Sequence, residues 1–234
     1  MIHARRDKLR LFFAVISLII ITSLVLRLLQ TFEFTPPNIM ERSVGVENPV
    51  ELKPDRNNNG PRAGKCGLAA SCPRSGFAFK IASGATNVVG PLICFDGKMI
   101  IEKTVGHGRP GITIVVIKET TGELIKTGTY NMWNGDVREL IEFLNSIEDG
   151  SFVFMATFDD PATKLNEEAR NIIAELGSAY VSKLEFRDNW VFVGGRKTMI
   201  QVSFEQHRKN DKSTNKYGAW PEMIEMEGCI PRLD

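Results

Sequence analysis

Residues 151–178 read SFVFMATFDDPATKLNEEARNIIAELGS, and the fold is decided here. The run Phe152-Val153-Phe154-Met155-Ala156 is apolar without interruption and short, the pattern of a strand covered on both faces. Asp159-Asp160-Pro161 then turns the chain. Pro161 suits the first position of a helix and Asp160 its N-cap, where a carboxylate accepts from free backbone N–H groups. Leu165, Ala169, Ile172, Ile173 and Leu176 follow at helical spacing, and Gly177 is placed to end the helix. A buried strand therefore runs into an amphipathic helix, with two carboxylates at the junction.

Working outward, strands are expected at Phe77–Ala82, at Val88-Val89, at Leu92–Phe95 and at Met99–Ile101. Asp96-Gly97 makes a two-residue hairpin turn between the last two. A second hairpin pairs Ile112–Ile117 with Glu123–Tyr130 around Thr120-Thr121-Gly122. Asp136 precedes a helix carrying Val137, Leu140, Ile141 and Leu144 on one face, and a negative charge is favourable at that end. A further apolar strand is expected over Phe186–Gly195, with Arg187 near its start, and the segment Lys197–Asp234 is polar and rich in turns. Strands and helices interleave without the regular alternation of a doubly wound sheet. That is the pattern of one α+β or mixed α/β domain with helices covering the sheet.

The 234-residue chain is 43% hydrophobic, enough for one sizeable core. Charge is unevenly placed. Through Gln30 there are five cations and one anion, a net of +4, which leaves −3 for the remainder of a chain whose total is +1. A mildly acidic folded part argues against nucleic acid as a partner. The basic stretch MIHARRDKLR followed by the apolar run Leu11–Leu26 reads as a targeting segment over residues 1–30, either a signal peptide or a signal anchor. Either form sends the rest of the chain to the lumen or the outside, and a membrane is a partner only if the segment stays uncleaved. Residues 31–64, rich in Pro, Asn, Gly and charge, read as a tether.

Cys66, Cys72, Cys94 and Cys229 all follow the targeting segment. An even number in a secretory context predicts two disulfides, of three possible connectivities. No CxxC occurs, and no metal site is expected. The glycine-rich loop Gly106–Gly111 lacks the Lys-Ser/Thr of a P-loop and leads into a strand, so no nucleotide or other cofactor is expected. Neither His107 nor His207 adjoins a Ser or Cys, and both are read as exposed loop residues. Asp160 is committed to a cap by its position; Asp159 is not, which makes it the better functional candidate. For Arg187 an ion pair with Asp188 competes with a ligand contact. Trp133, Trp190 and Trp220 are read as core residues before sugar platforms.

Many segments in order, among them Lys65-Cys66-Gly67, Phe77-Ala78-Phe79-Lys80, Gly135-Asp136-Val137, Phe186-Arg187-Asp188-Asn189-Trp190 and Glu227-Gly228-Cys229-Ile230-Pro231, resemble the "family with sequence similarity 3" proteins. These are secreted cytokine-like factors of the interleukin-like EMT inducer and pancreatic-derived factor type. The resemblance covers nearly all of a domain placed at residues 65–234. It implies a compact β-β-α domain, two stacked sheets flanked by helices, with disulfides Cys66–Cys94 and Cys72–Cys229, occurring as a monomer or homodimer. A more distant resemblance, to the GlcNAc-binding stem domain of the O-mannose N-acetylglucosaminyltransferase, implies sugar contacts at Arg109, Asp159 and Arg187. Two cations and a carboxylate orient hydroxyl and N-acetyl groups by charge-assisted hydrogen bonds. The chain departs from the family pattern at Arg109-Pro110-Gly111, where the family has Arg-Gly.

The expected function is that of a secreted, extracellular signalling protein, exported through the ER and Golgi. It acts by binding a cell-surface receptor or glycan, without catalysis, in metabolic regulation or epithelial plasticity. The alternative is a carbohydrate-binding module, secreted or Golgi-anchored. A third reading is a lumenal enzyme using Asp159 with Arg187.

Overall fold

A computed structural model describes residues 64–106 and 108–233, together with Thr22. The chain divides into two units, residues 1–56 and 57–234; apart from Thr22, everything described here belongs to the second. The expected targeting segment apart from Thr22, residues 31–63 of the expected tether, His107 and Asp234 lie outside the described residues. Among the described residues no helix is long and apolar enough to cross a membrane.

The strands are β1 (Gly76–Ala82), β2 (Leu92–Phe95), β3 (Lys98–Ile101), β4 (Gly111–Lys118), β5 (Leu124–Asn131), β6 (Ser151–Phe158), β7 (Asn189–Arg196), β8 (Phe204–Arg208) and β9 (Glu225–Pro231). Helix α1 (Val137–Asn145) lies between β5 and β6, and α2 (Glu167–Glu175) between β6 and β7. The strands form two antiparallel sheets, ordered β3-β2-β1-β9 and β5-β4-β6-β7-β8. This is the α+β, β-β-α arrangement expected from the resemblance.

The five-stranded sheet is the middle layer, and its strands alternate between two cores. Ile112, Ile114, Val116, Val153, Met155, Trp190 and Phe192 face the helices, meeting Leu140, Leu144, Ala169 and Ile173. Val115, Ile117, Phe152, Phe154, Val191 and Val193 face the other sheet, meeting Phe77, Phe79, Ile81, Ile93 and Phe95. With both faces covered, β4, β6 and most of β7 lose contact with water, which is why their sequences are apolar throughout. Each such Phe or Ile contributes about 1.5–3 kcal/mol by burial. The outer face of the four-stranded sheet is solvated instead, and there Lys80 bridges Glu225 and Glu227 across the β1–β9 ladder at 3.3 and 3.6 Å.

Local signals explain several boundaries. Asp96 and Gly97 both take positive φ, 47° and 86°, the two left-handed positions of a primed hairpin turn. The Asp136 side chain accepts from the Arg138 backbone N–H at the start of α1. Arg170 of α2 donates to the carbonyls of Val181 and Leu184; desolvation holds its pKa below the usual arginine range, against the pull of Glu167. Burial, aided by Glu139, pushes the Tyr130 phenol up to about 12. Cys66–Cys94 and Cys72–Cys229 are both bonded, each with Cα atoms 5.7 Å apart.

Four expectations are corrected. Helix α2 starts at Glu167, not Pro161, and its N-cap is Asn166, whose side chain accepts from Ala169. Asp160 does bond two backbone N–H groups, those of Ala162 and Thr163, but it closes a turn; Leu165 is buried in the connection that follows. Val88 and Val89 form no strand, only isolated bridges at Val89. Phe186-Arg187-Asp188 precedes β7 instead of opening it. The segment after Lys197 holds two strands, β8 and β9, which pair with β7 and β1. Their outward residues are solvated, so their sequences read as polar.

Candidate functional site

Strands β6 and β7 are antiparallel neighbours, so the end of one lies beside the start of the other. Past Ala156 the backbone ladder stops and a side chain replaces it: Thr157 Oγ1 accepts from the Trp190 N–H at 2.8 Å and donates to its carbonyl at 3.1 Å. Just beyond this point stand Asp159 and Arg187, with φ of 56° and 62°. The left-handed region is uncommon for non-glycine residues and costs of order 1–3 kcal/mol each, strain that gathers at functional places.

These turns bring the two side chains together. Arg187 Nε lies 3.7 Å from Asp159 Oδ1, an ion pair longer than a hydrogen bond. Trp220 completes the group. Its Nε1–H donates to the same Oδ1 at 2.8 Å, and its ring lies 4.1 Å from the guanidinium carbon. Phe186 flanks the guanidinium at 4.7 Å. The segment carrying Trp220 is tied down by Asn189, which donates to the carbonyl of Glu222 at 2.9 Å, and by Ser83, which pairs with Ile224.

Hydrogen-bonding capacity is left over. Among the described residues no protein acceptor takes a hydrogen bond from Arg187; its Nε is buried without one, while 24% of the side chain remains exposed. Asp159 is 6% exposed and spends Oδ1 on Trp220. The cluster offers a ligand guanidinium donors, a carboxylate oxygen and an aromatic edge. Asp160, fully buried, has one oxygen in its turn and the other without a partner.

Arg109 stands elsewhere. It is exposed and lines a groove of about 580 Å³ with Glu102, Thr113 and Thr129; no hydrogen bond or ion pair among the described residues joins it to Asp159 or Arg187. Its neighbour Gly108 packs closely on the ring of Phe158, the residue before Asp159. Asp188 does not pair with Arg187 but with His207, Oδ2 to Nε2 at 2.8 Å. His207 lies on β8, stacked on Tyr180, and is not an exposed loop residue. Of the tryptophans, Trp190 is core, Trp133 is 53% exposed and Trp220 is half-buried at the site. Sequence reasoning missed Trp220 as a partner of Asp159; only its aromatic type was visible, in a segment read as polar.

Protein FAM3C of Danio rerio is 50% identical over 213 residues, spanning 91% of this chain and 93% of its own. The chain belongs to the FAM3 family. Protein FAM3C of Homo sapiens is 51% identical over 177 residues, 76% of this chain and 78% of its own, and Protein FAM3A of Mus musculus 44% identical over 196 residues, 84% and 83%. The family model described as interleukin-like EMT inducer matches residues 110–197. FAM3 membership fits a cytokine-like protein. The residues that the family model matches include Asp159 and Arg187, whereas Arg109, Trp220 and all four cysteines fall outside them.

Proposed function

We propose that this FAM3 protein is a secreted, extracellular signalling protein that acts by binding a cell-surface receptor or glycan, and not by catalysis. The observation that carries the reading is identity of about half its residues to FAM3C across a domain braced by two disulfides, a form suited to an oxidising compartment. Its setting is metabolic regulation or epithelial plasticity. The test is expression of the full chain in secretory cells. Intact mass of the medium is expected to find the domain with both disulfides and without the targeting segment, and labelled protein is expected to bind intact cells saturably. Retention in the cell, or binding that never saturates, overturns the proposal.

A second reading is favoured by one observation, the uncommitted donors of Arg187 beside Asp159 and the Trp220 ring. In it the receptor-side ligand is a GlcNAc-type sugar held by Asp159 and Arg187, with Arg109 from the neighbouring groove. A glycan array with wild type beside Arg187→Gln and Asp159→Asn decides it. Loss of GlcNAc-bearing signals in folded variants supports the reading, and an array blank for the folded wild type sinks it.

A further inference from the structure

Beside the Cys72–Cys229 bridge lies a hollow of about 300 Å³, walled by Lys65, Ser71, Arg74 and Arg232. Two of its cations come from the start of the domain and the third from its end, and each sits close to a disulfide half: Lys65 adjoins Cys66, Arg74 follows Cys72 by two residues and Arg232 follows Cys229 by three. The walls are braced further. The Arg232 backbone N–H donates to Ser75 at 2.6 Å, and its guanidinium lies over the Phe77 ring at 4.2 Å. One carboxylate faces the group: Asp96 meets Lys65 at 2.7 Å and Arg232 at 3.7 Å. Arg74 has no hydrogen bond or ion pair among the described residues. The described residues as a whole carry nearly equal numbers of Lys/Arg and Asp/Glu, so this is a local concentration of positive charge, in which Asp96 positions Lys65 and Arg232 and leaves Arg74 uncommitted.

We infer that this hollow binds the sulfate groups of a sulfated polysaccharide. Guanidinium and ammonium groups recognise tetrahedral oxyanions by charge-assisted hydrogen bonds, and Arg does so bidentately. The Lys65 and Arg232 side chains are 59% and 40% exposed, so each contact with a lone anion is screened and weak. A chain presenting several anions engages all three cations at once, and its effective concentration at the second and third contacts does the rest. The choice of polymer rests on the extracellular reading; the hollow itself is remote in sequence from Asp159 and Arg187 and independent of the sugar site.

The test uses the purified, disulfide-bonded protein and a heparin-derived oligosaccharide, read by calorimetry and by salt elution from a heparin column. The variant K65Q/R74Q/R232Q is expected to lose at least tenfold in affinity and to elute at lower salt. Arg74→Gln alone is expected to weaken binding without moving the melting temperature, since it breaks no contact of the fold. Neutralising the exposed Lys164, Lys183 and Lys212 is expected to change nothing. Equal binding by the triple variant, equal loss in the control, or full binding of desulfated heparin overturns the proposal. So does binding of vesicles bearing phosphorylated lipid headgroups in place of heparin. The assay does not depend on where the protein resides, so its failure leaves the secretion test standing.

Discussion

Trp220 donates its indole N–H to Asp159 Oδ1 at 2.8 Å across 61 residues of sequence. The bond joins a loop near the end of the domain to the turn after its central strand. Trp220→Phe keeps an aromatic face for Arg187 and removes the donor from a nearly buried carboxylate. An unfolding titration is expected to find a loss of about 1–3 kcal/mol, and Asp159→Asn combined with Trp220→Phe is expected to cost less than the sum of the two. Strict additivity would mean that the bond does not hold in solution.

The two disulfides close loops of very different length, with sequence separations of 28 and 157. In the chain-entropy account the longer loop contributes about 5 kcal/mol and the shorter about 3.5 kcal/mol. Removing Cys72–Cys229 by paired serine substitution is therefore expected to lower the melting temperature more than removing Cys66–Cys94. The reverse order would show that native packing around Cys66, not loop closure, decides their contributions.

Burial, and secondarily Glu139, push the Tyr130 phenol up from its ordinary 10.0 to about 12. Its folded pKa is raised, so its contribution to stability is complete below pH 10 and is lost as pH rises from there through 12. An absorbance titration is expected to show a late-ionising phenol that vanishes in Tyr130→Phe. In that same window the wild type is expected to lose stability relative to the variant.

Asn166 and Asp160 compete as the cap of α2, and only Asn166 bonds the helix. Asn166→Ala is expected to cost about 1 kcal/mol and to lower amide-exchange protection in the first turn of α2. Asp160→Ala is expected to loosen residues 160–164 and leave the protection of α2 unchanged. Exchange that rises across α2 in Asp160→Ala would move the cap back to Asp160.

The central strands were legible because burial on both faces leaves an unbroken apolar run, as in Phe152–Ala156, and the Asp96-Gly97 turn because few other pairs tolerate two positive φ values. The start of α2 was not. A turn closed by Asp160 and a helix capped by Asn166 use the same bond, a side-chain oxygen on a backbone N–H two or three residues on, and only the three-dimensional path separates them. Strands β8 and β9 were hidden for another reason. They lie at sheet edges with outward residues in water, as Glu225 and Glu227 do, so their apolar content falls to that of a loop. Asp159 and Arg187 stood out through the distant resemblance to a sugar-binding stem domain and, for Asp159, the absence of a capping duty. Their meeting with Trp220 depends on how β9 returns the chain, and no spacing encodes that.

Strand β1 lies between β2 and β9, and Phe77 on β1 is matched with Ile230 on β9. During synthesis the smaller sheet therefore waits for almost the entire domain to be made. Until residue 231 has left the ribosome, β1 has one bare edge, Cys72 has no partner, and the packing of Phe79 beneath Gly228 is missing. Pairings this distant in sequence form slowly. Completion of the smaller sheet is then a late step, and a nonsense codon ahead of Glu225 leaves a chain with an unpaired thiol at Cys72 and an open strand edge at β1, a substrate for quality control.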